Sequence, residues 1–171
     1  MGAGSHREAV VVGVDGSEAS VRALRWALVE ARRRCLPVHA IMAWESRAVL
    51  AGPGPLLMRP DQTPHDVRER HWQSLNRVAR VSLAGATTPE LHVELVEGDA
   101  AEVLTERSAH AGLLVLGDSG RSRVSEALLG GTALKCIHEA RCPVLIVPAR
   151  MPVGFDEQTS PGAAATDPVL G

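Results

Sequence analysis

The chain has 171 residues, of which 45% are hydrophobic and 22% charged. This composition is typical of a soluble globular protein, and the length suits one domain with a full core. A formal net charge of -2 with 2% aromatic residues argues against a nucleic-acid surface, which needs clustered cations and stacking rings. No apolar run approaches the ~20 residues of a membrane-spanning helix, and no secretory signal begins the chain. We therefore expect no membrane partner and a cytoplasmic location.

The cysteines Cys35, Cys136 and Cys142 form no C-x-x-C pair. An odd count without that spacing is not the pattern of a disulfide framework or of a zinc site. We therefore expect neither feature.

The first half of the chain alternates predicted strands with predicted helices. The β-branched run Ala9–Val14 predicts a buried strand, and Asp15-Gly16-Ser17 after it predicts a turn and a helix start. The helix that follows carries apolar residues at spacings of three and four, namely Val21, Leu24, Leu28, Ala31 and Cys35. Residues 38–44 predict a second strand, and a long loop over 45–64 separates it from a second helix over 65–83. One face of that predicted helix carries Val67, His71, Leu75, Val78 and Ser82, with several arginines on the opposite face.

The second half continues the alternation. After a predicted strand at Leu91–Val96, Asp99 and Glu102 have the spacing of a capping box, which predicts a third helix ending near Gly112. The apolar runs 112–117 and 143–147 predict two more buried strands. The helix between them has a predicted apolar face of Leu134, Ile137 and Ala140.

Continuous apolar strands separated by helices indicate a parallel sheet covered on both faces. The predicted fold is therefore doubly wound α/β. Residues 150–171 are rich in Gly, Pro, Ala and Thr without periodicity, so we expect a disordered tail there and a flexible segment at residues 1–7.

The tetrapeptide Gly117-Asp118-Ser119-Gly120 on its own resembles the nucleophile loop of a serine protease. That loop belongs to an all-β double barrel, whereas this one follows a predicted parallel strand. The strand-turn-helix alternative G-x-S-x-G also fails, because Arg121 stands where its last glycine is required. The sequence therefore argues against a nucleophilic Ser119, and the leading hypothesis given below includes no catalytic residue.

The common phosphate-binding motifs are also missing. The only lysine, Lys135, does not follow a Walker-type glycine loop, and no G-x-G-x-x-G follows the first predicted strand. The components of an anion site remain, because Gly117 and Gly120 let backbone approach a ligand and 130–132 opens a helix with free N–H groups. The alternative is that these glycines only permit tight turns.

The spacing decides between these alternatives. Gly117-x-x-Gly120, nine residues and then Gly130 resembles the G-x2-G-x9-G-[S/T] nucleotide loop of the universal stress protein family. The resemblance extends to four further segments, in order: the opening strand at 10–17, the first helix at 25–28, the end of the second strand at 43–45 and the closing strand at 141–147. It covers about residues 8–149, which we expect to form a single domain.

The resemblance implies a five-stranded parallel sheet in the order 3-2-1-4-5 and a homodimer joined through the last strand. From the ATP-binding branch of the family, the resemblance implies that Asp15 holds the ribose and adenine side and that backbone at Val14 and Ala43 meets the adenine. By the same resemblance, ribose and phosphates are expected to lie against backbone at Leu116, Gly117, Gly120, Gly130, Gly131 and Thr132. Such folds bind ligands at the carboxyl ends of parallel strands, at the point where the strand order switches. A carboxylate at that point, such as that of Asp15, is therefore well placed to contact a ligand. A role for Asp15 in capping the first helix is compatible with that one.

Two residues depart from the family pattern. Gly131 stands where the family has Ser or Thr, which leaves Thr132 or the backbone N–H as the phosphate donor. Asp118 places a carboxylate inside the phosphate loop, where it repels the ligand unless a divalent ion lies between them. The sequence therefore predicts either binding through Mg²⁺ held by Asp118 or weak binding. Arg121 and Arg123 lie in the same loop and are available to offset the charge.

The leading hypothesis is an ATP-binding regulatory or adaptor module in the stress response, with an unidentified protein partner. One alternative is a slow ATP hydrolase, for which Asp118 and Glu126 are candidate general bases by proximity in sequence only. The other is a structural dimerisation module that has lost its nucleotide. Gly131 and Asp118 favour that last alternative, and the intact glycine spacing opposes it.

Overall fold

The computed structural model describes residues 9–45, 63–85, 89–118 and 129–148. Its strands are β1 (Val10–Gly13), β2 (Val38–Trp44), β3 (Leu91–Glu97), β4 (Leu113–Gly117) and β5 (Val144–Val147). Its helices are α1 (Glu18–Arg34), α2 (Pro64–Leu83), α3 (Ala100–Arg107) and α4 (Gly131–Glu139). Strand β2 has the predicted bounds, and each end of the other four lies within one residue of its predicted position. The predicted flexible segments at 1–7 and 150–171 lie outside the described residues.

All five strands are parallel, in the order β3-β2-β1-β4-β5. Val10 of β1 is paired with Val38 on one side and with Leu113 on the other. The chain builds outward from β1 to β3 and then crosses back to place β4 on the free side of β1. The strand order therefore switches between β1 and β4, and the predicted fold class and strand order are confirmed.

Helices cover both faces of the sheet because successive residues of the central strands point in opposite directions. Val10 and Val12 of β1 belong to a buried cluster with side chains from α1 and α2. Val11, between them, belongs to a second cluster with side chains from α3 and α4. Within the described residues, no helix combines the length and the apolarity that a membrane crossing requires.

Helix α1 begins at a serine cap. Ser17 is the N-cap, and its hydroxyl accepts a hydrogen bond from the Ser20 N–H. Asp15 therefore does not cap the helix, because its carboxylate instead accepts from the Ser17 N–H, within the preceding turn. Leu24 faces the core as predicted, whereas Cys35 is exposed, because the helix ends at Arg34 and Cys35 takes a left-handed backbone conformation as the C-cap.

The third helix is shorter than predicted, and it ends at Arg107 rather than near Gly112. The fully buried Ser108 closes it, with its N–H bonded to the Leu104 carbonyl. The Ala111 N–H then bonds to the Ser108 carbonyl, which makes a tight turn in place of another helical turn. The predicted cap at Asp99 is confirmed, because its carboxylate accepts from the Ala101 and Glu102 N–H groups.

The predicted apolar face of the fourth helix is wrong. Ala133 and Cys136 are the buried residues of α4, whereas Leu134 and Ile137 are 47% and 46% exposed. The helix contacts the core through its smaller side chains and leaves the two large aliphatic ones outside. Burial raises the pKa of the Cys136 thiol to about 11, with a smaller contribution from the nearby Glu139 carboxylate, so this thiol is neutral at pH 7.

Candidate functional site

A cavity of about 330 Å³ opens at the carboxyl ends of the strands, where the order switches between β1 and β4. The end of β1, two residues of β2, the end of β4 and the first turn of α4 form most of its wall. Its volume lies at the small end of the range of ligand pockets, and its place at the switch point is where open parallel sheets bind ligands.

The cavity brings together the residues that the sequence singled out. The predicted nucleotide-binding residues that the structure describes all line it, and they are Val14, Asp15, Ala43, Leu116, Gly117, Gly130, Gly131 and Thr132. Gly120, the remaining predicted binding residue, lies outside the described residues. Asp118, the predicted metal ligand, directly follows Gly117 but does not line the cavity.

Sequence reasoning missed about half of the lining. Those residues are Gly13, Ser17, Ser20, Ile41, Ala100, Leu104 and Ala133. Strand pairing accounts for Ile41, which lies opposite Gly13 in the sheet. Ala100 and Leu104 belong to α3, which packs beside α4, and no local pattern in their sequence points to a cavity.

The turn after β1 holds the Asp15 side chain in place. The Val14 N–H donates to the Ile41 carbonyl at 2.9 Å, which ties this turn to β2. One Asp15 carboxylate oxygen, Oδ1, accepts the Ser17 N–H at 2.9 Å. Gly16 has φ +87°, a left-handed conformation that glycine adopts without strain. Asp15 is therefore presented to the cavity by a closed, hydrogen-bonded turn.

Gly117 is required by helix packing as well as by its place in the cavity wall. A Cβ at this position would lie 2.8 Å from the Cβ of Ala19 and 2.9 Å from its carbonyl carbon. Ala19 is buried in the first turn of α1. The missing side chain therefore lets β4 and the start of α1 meet closely, beside the Asp15 turn.

The first turn of α4 faces the cavity with its backbone. Gly130 is the N-cap, with φ -62° and ψ 149° and no side-chain cap hydrogen bond, and the turn contains no acidic residue. The first N–H groups of a helix have no partner inside it and carry the positive end of its dipole. A Cβ at Gly131 would meet nothing within 4 Å, so there is open space where the family pattern has a hydroxyl.

Backbone hydrogen bonds join the two ends of the glycine loop. The Gly130 N–H donates to the Asp118 carbonyl, and the Asp118 N–H donates to the Val147 carbonyl, both at 3.1 Å. These bonds hold the end of β4 beside the start of α4, so that Gly117 and Gly130 share one cavity wall. Ser119, Arg121, Arg123 and Glu126 lie between these anchors and outside the described residues.

Charged side chains join the helices at this end of the sheet. The Nζ atom of Lys135 in α4 lies 3.6 Å from Oδ1 of Asp99, the N-cap of α3, and both side chains are partly exposed. Over the described ranges, no group of three or more His, Cys, Asp or Glu side chains has an arrangement suited to a metal ion.

Comparison with known proteins places this architecture in a family. The model of the universal stress protein family matches residues 6–148. The chain belongs to the universal stress protein family. It is 32% identical over 154 residues to universal stress protein Rv2623 of Mycobacterium tuberculosis, which covers 86% of this chain and 50% of the relative. This universal stress protein chain thus spans about half the length of the curated relatives it matches.

Solved structures show the same fold. A universal stress protein in complex with cAMP is 25% identical, with a TM-score of 0.61 over 82% of this chain and 96% of the other. Universal stress protein UspA from Lactobacillus plantarum is 22% identical, with a TM-score of 0.66 over 82% of this chain and 97% of its own. The family assignment that the sequence motifs predicted is confirmed by the match over residues 6–148, and these structures agree with it in fold.

Proposed function

We propose that this universal stress protein binds an adenine nucleotide, with ATP as the expected ligand, and acts as a regulatory module in the stress response. One observation carries the proposal: the described members of the predicted nucleotide set line a single cavity at the strand-order switch. The neighbouring structure that contains cAMP supports the ligand class.

The cavity wall offers a different chemistry on each side. Backbone at Val14 and Ala43, with apolar surface from Ile41, suits a flat heterocycle. The Asp15 carboxylate suits the ribose hydroxyls, because a carboxylate oxygen accepts their O–H groups. The first turn of α4 suits the phosphates, since free N–H groups and the helix dipole both favour an anion.

Asp118 does not line the cavity, but it directly follows Gly117, and in this proposal its carboxylate determines the metal dependence. Its carboxylate group belongs to the residue that joins the end of β4 to the phosphate loop, and a carboxylate near phosphate oxygens repels them. A divalent cation between the two groups reverses the sign of that interaction. We therefore expect ATP to bind more tightly with Mg²⁺ than without it, and we expect an Asp118→Ser change to remove this difference.

The test is isothermal titration of nucleotide-stripped protein with ATP, with and without Mg²⁺, on the wild type and on Gly130→Val. The backbone conformation at Gly130 accepts a valine, and the substitution adds a branched side chain at a residue of the cavity wall, where the proposed phosphates lie against the backbone. We expect Gly130→Val to bind ATP about tenfold more weakly than the wild type, which corresponds to about 1.4 kcal/mol of binding free energy.

Gly112→Val is the matched control for this titration. Gly112 precedes β4 at the amino ends of the strands, opposite the cavity, and the nearest atom that its Cβ would meet is the Ala9 carbonyl oxygen at 3.8 Å. This variant should bind ATP like the wild type. If the folded wild type binds no ATP in either condition, the nucleotide proposal fails and the ligand-free dimerisation module replaces it.

We also propose that a second copy of the chain covers the outer surface of α4 and β5. Strand β5 is at one edge of the sheet. On the helix beside it, Leu134 and Ile137 are three residues apart and nearly half exposed, so they share one side of α4. An exposed aliphatic pair next to a strand edge suits a symmetric partner that extends the sheet.

Leu134→Glu should convert a dimer into a monomer, because it places a charge in the proposed apolar contact. Sedimentation equilibrium measures the change. Val81→Glu is the matched control, because Val81 is 45% exposed but lies on α2, which packs on the other face of the sheet. A wild type that is monomeric at all concentrations tested, or equal dissociation of the two variants, would contradict the proposed interface.

A further inference from the structure

Two arginines bind backbone carbonyls between α2 and either α1 or the turn before it. Arg77 of α2 donates from Nη2 to the Gly16 carbonyl at 3.1 Å. Arg25 of α1 donates from Nη2 to the Val81 carbonyl of α2, also at 3.1 Å. Both bonds are exposed and join residues far apart in sequence, but only the Arg77 bond ends in the turn that carries Asp15.

The Arg77 bond and the Asp15 bond meet on one peptide group. The Gly16 carbonyl, which accepts from Arg77, and the Ser17 N–H, which donates to Asp15 Oδ1, belong to the same peptide. A peptide group is planar, so its C=O and N–H directions are coupled. Holding the Gly16 carbonyl therefore also aims the Ser17 N–H at the Asp15 carboxylate.

Without such an anchor, this peptide has a low barrier to reorientation. Gly16 has φ +87°, and glycine also populates the alternative backbone regions at little cost. Ser17 is fixed on its far side, since its hydroxyl and carbonyl bond to the N–H and hydroxyl of Ser20. Those bonds lie beyond the Gly16–Ser17 peptide and do not determine its orientation.

We infer that Arg77 is a positioning residue of the nucleotide site, which fixes the Gly16–Ser17 peptide and through it the Asp15 carboxylate. The inference rests on the proposed nucleotide binding, because Asp15 is there the group that holds the ribose. Arg77 itself does not line the cavity. It acts on affinity by reducing the number of orientations that the carboxylate samples before the ligand binds.

The test compares Arg77→Met with Arg25→Met. Methionine keeps an unbranched apolar stem and removes the guanidinium, so each variant loses one exposed hydrogen bond from an arginine to a distant backbone carbonyl. Titration with ATP and Mg²⁺ should show about fivefold weaker binding for Arg77→Met, the scale of one hydrogen bond. Arg25→Met should bind within about twofold of the wild type, with a similar loss of thermal stability, since its bond is equivalent but remote from the turn.

Amide hydrogen exchange of the ligand-free protein provides the second readout. The Ser17 N–H should exchange about tenfold faster in Arg77→Met, because its bond to Asp15 is made for a smaller fraction of the time. Its exchange should be unchanged in Arg25→Met. A purely structural role for Arg77 would change both variants alike.

The two readouts separate the two proposals. If the wild type binds no nucleotide, the proposed function fails, and with it the role of Arg77 in that site. If the wild type binds but the two variants show equal affinities and equal Ser17 exchange, nucleotide binding stands and the positioning role is overturned.

Discussion

Gly117→Ala should destabilise the protein by about 3 kcal/mol, the upper end of the usual cost of overpacking. The added methyl group would lie within 3.0 Å of three atoms of Ala19, two of them backbone atoms of α1. Backbone in the first turn of a buried helix moves only with the whole helix, so rotation of a side chain does not relieve this contact. Urea unfolding followed by circular dichroism measures the loss.

Gly131→Ala is the control for this prediction. A Cβ there meets nothing within 4 Å, and the position is helical. Alanine should leave the free energy of unfolding unchanged or raise it by up to about 1 kcal/mol, since glycine is the poorer helix former. A Gly117→Ala protein as stable as the wild type would show that β4 and α1 are not in the close contact described.

Leu24→Ala should lower the free energy of unfolding by about 3 kcal/mol, within the usual range for a buried leucine. Leu24 is 0% exposed in the cluster between α1, α2 and the sheet. Alanine favours the helix at least as well as leucine, so the loss comes from the cavity and from the apolar surface no longer buried. Urea unfolding at a fixed protein concentration measures it.

Leu24→Met is the matched variant, because it nearly conserves the side-chain volume. It should cost less than about 1.5 kcal/mol. Equal losses for alanine and methionine would mean that the site is sensitive to any change of shape, and a loss below about 1 kcal/mol for alanine would contradict a close-packed core at Leu24.

The local pattern of the chain was enough to predict the elements and their layering. Runs of β-branched and aliphatic residues, such as those of β1 and β4, admit no solvent-facing side and therefore require helices on both faces of the sheet. The strand order came from the family resemblance rather than from the pattern, since hydrophobicity does not say which strand lies beside β1.

Local patterns failed where neighbouring elements decide burial. Leu134 and Ile137 have the spacing of a buried stripe, yet α4 rests on Ala133 and Cys136. A single amphipathic pattern does not distinguish a side that meets the sheet from one that is left for another surface. The same limit applies to Cys35. Its spacing continues the apolar pattern of α1, but the helix ends before it, and Cys35 has the left-handed conformation of a C-cap.

In the candidate site, too, some features could be predicted from the sequence and others depend on the tertiary structure. The sequence predicted Asp15 and the site glycines through the family resemblance that the glycine spacing carries, and that spacing is a feature of neighbours along the chain. The role of Ala19 beside Gly117, the walls from Ile41, Ala100 and Leu104, and the bond from Arg77 to Gly16 come from elements distant in sequence. Local structure depends on neighbours along the chain, whereas the shape of a cavity depends on neighbours in space, and only the tertiary structure brings those together.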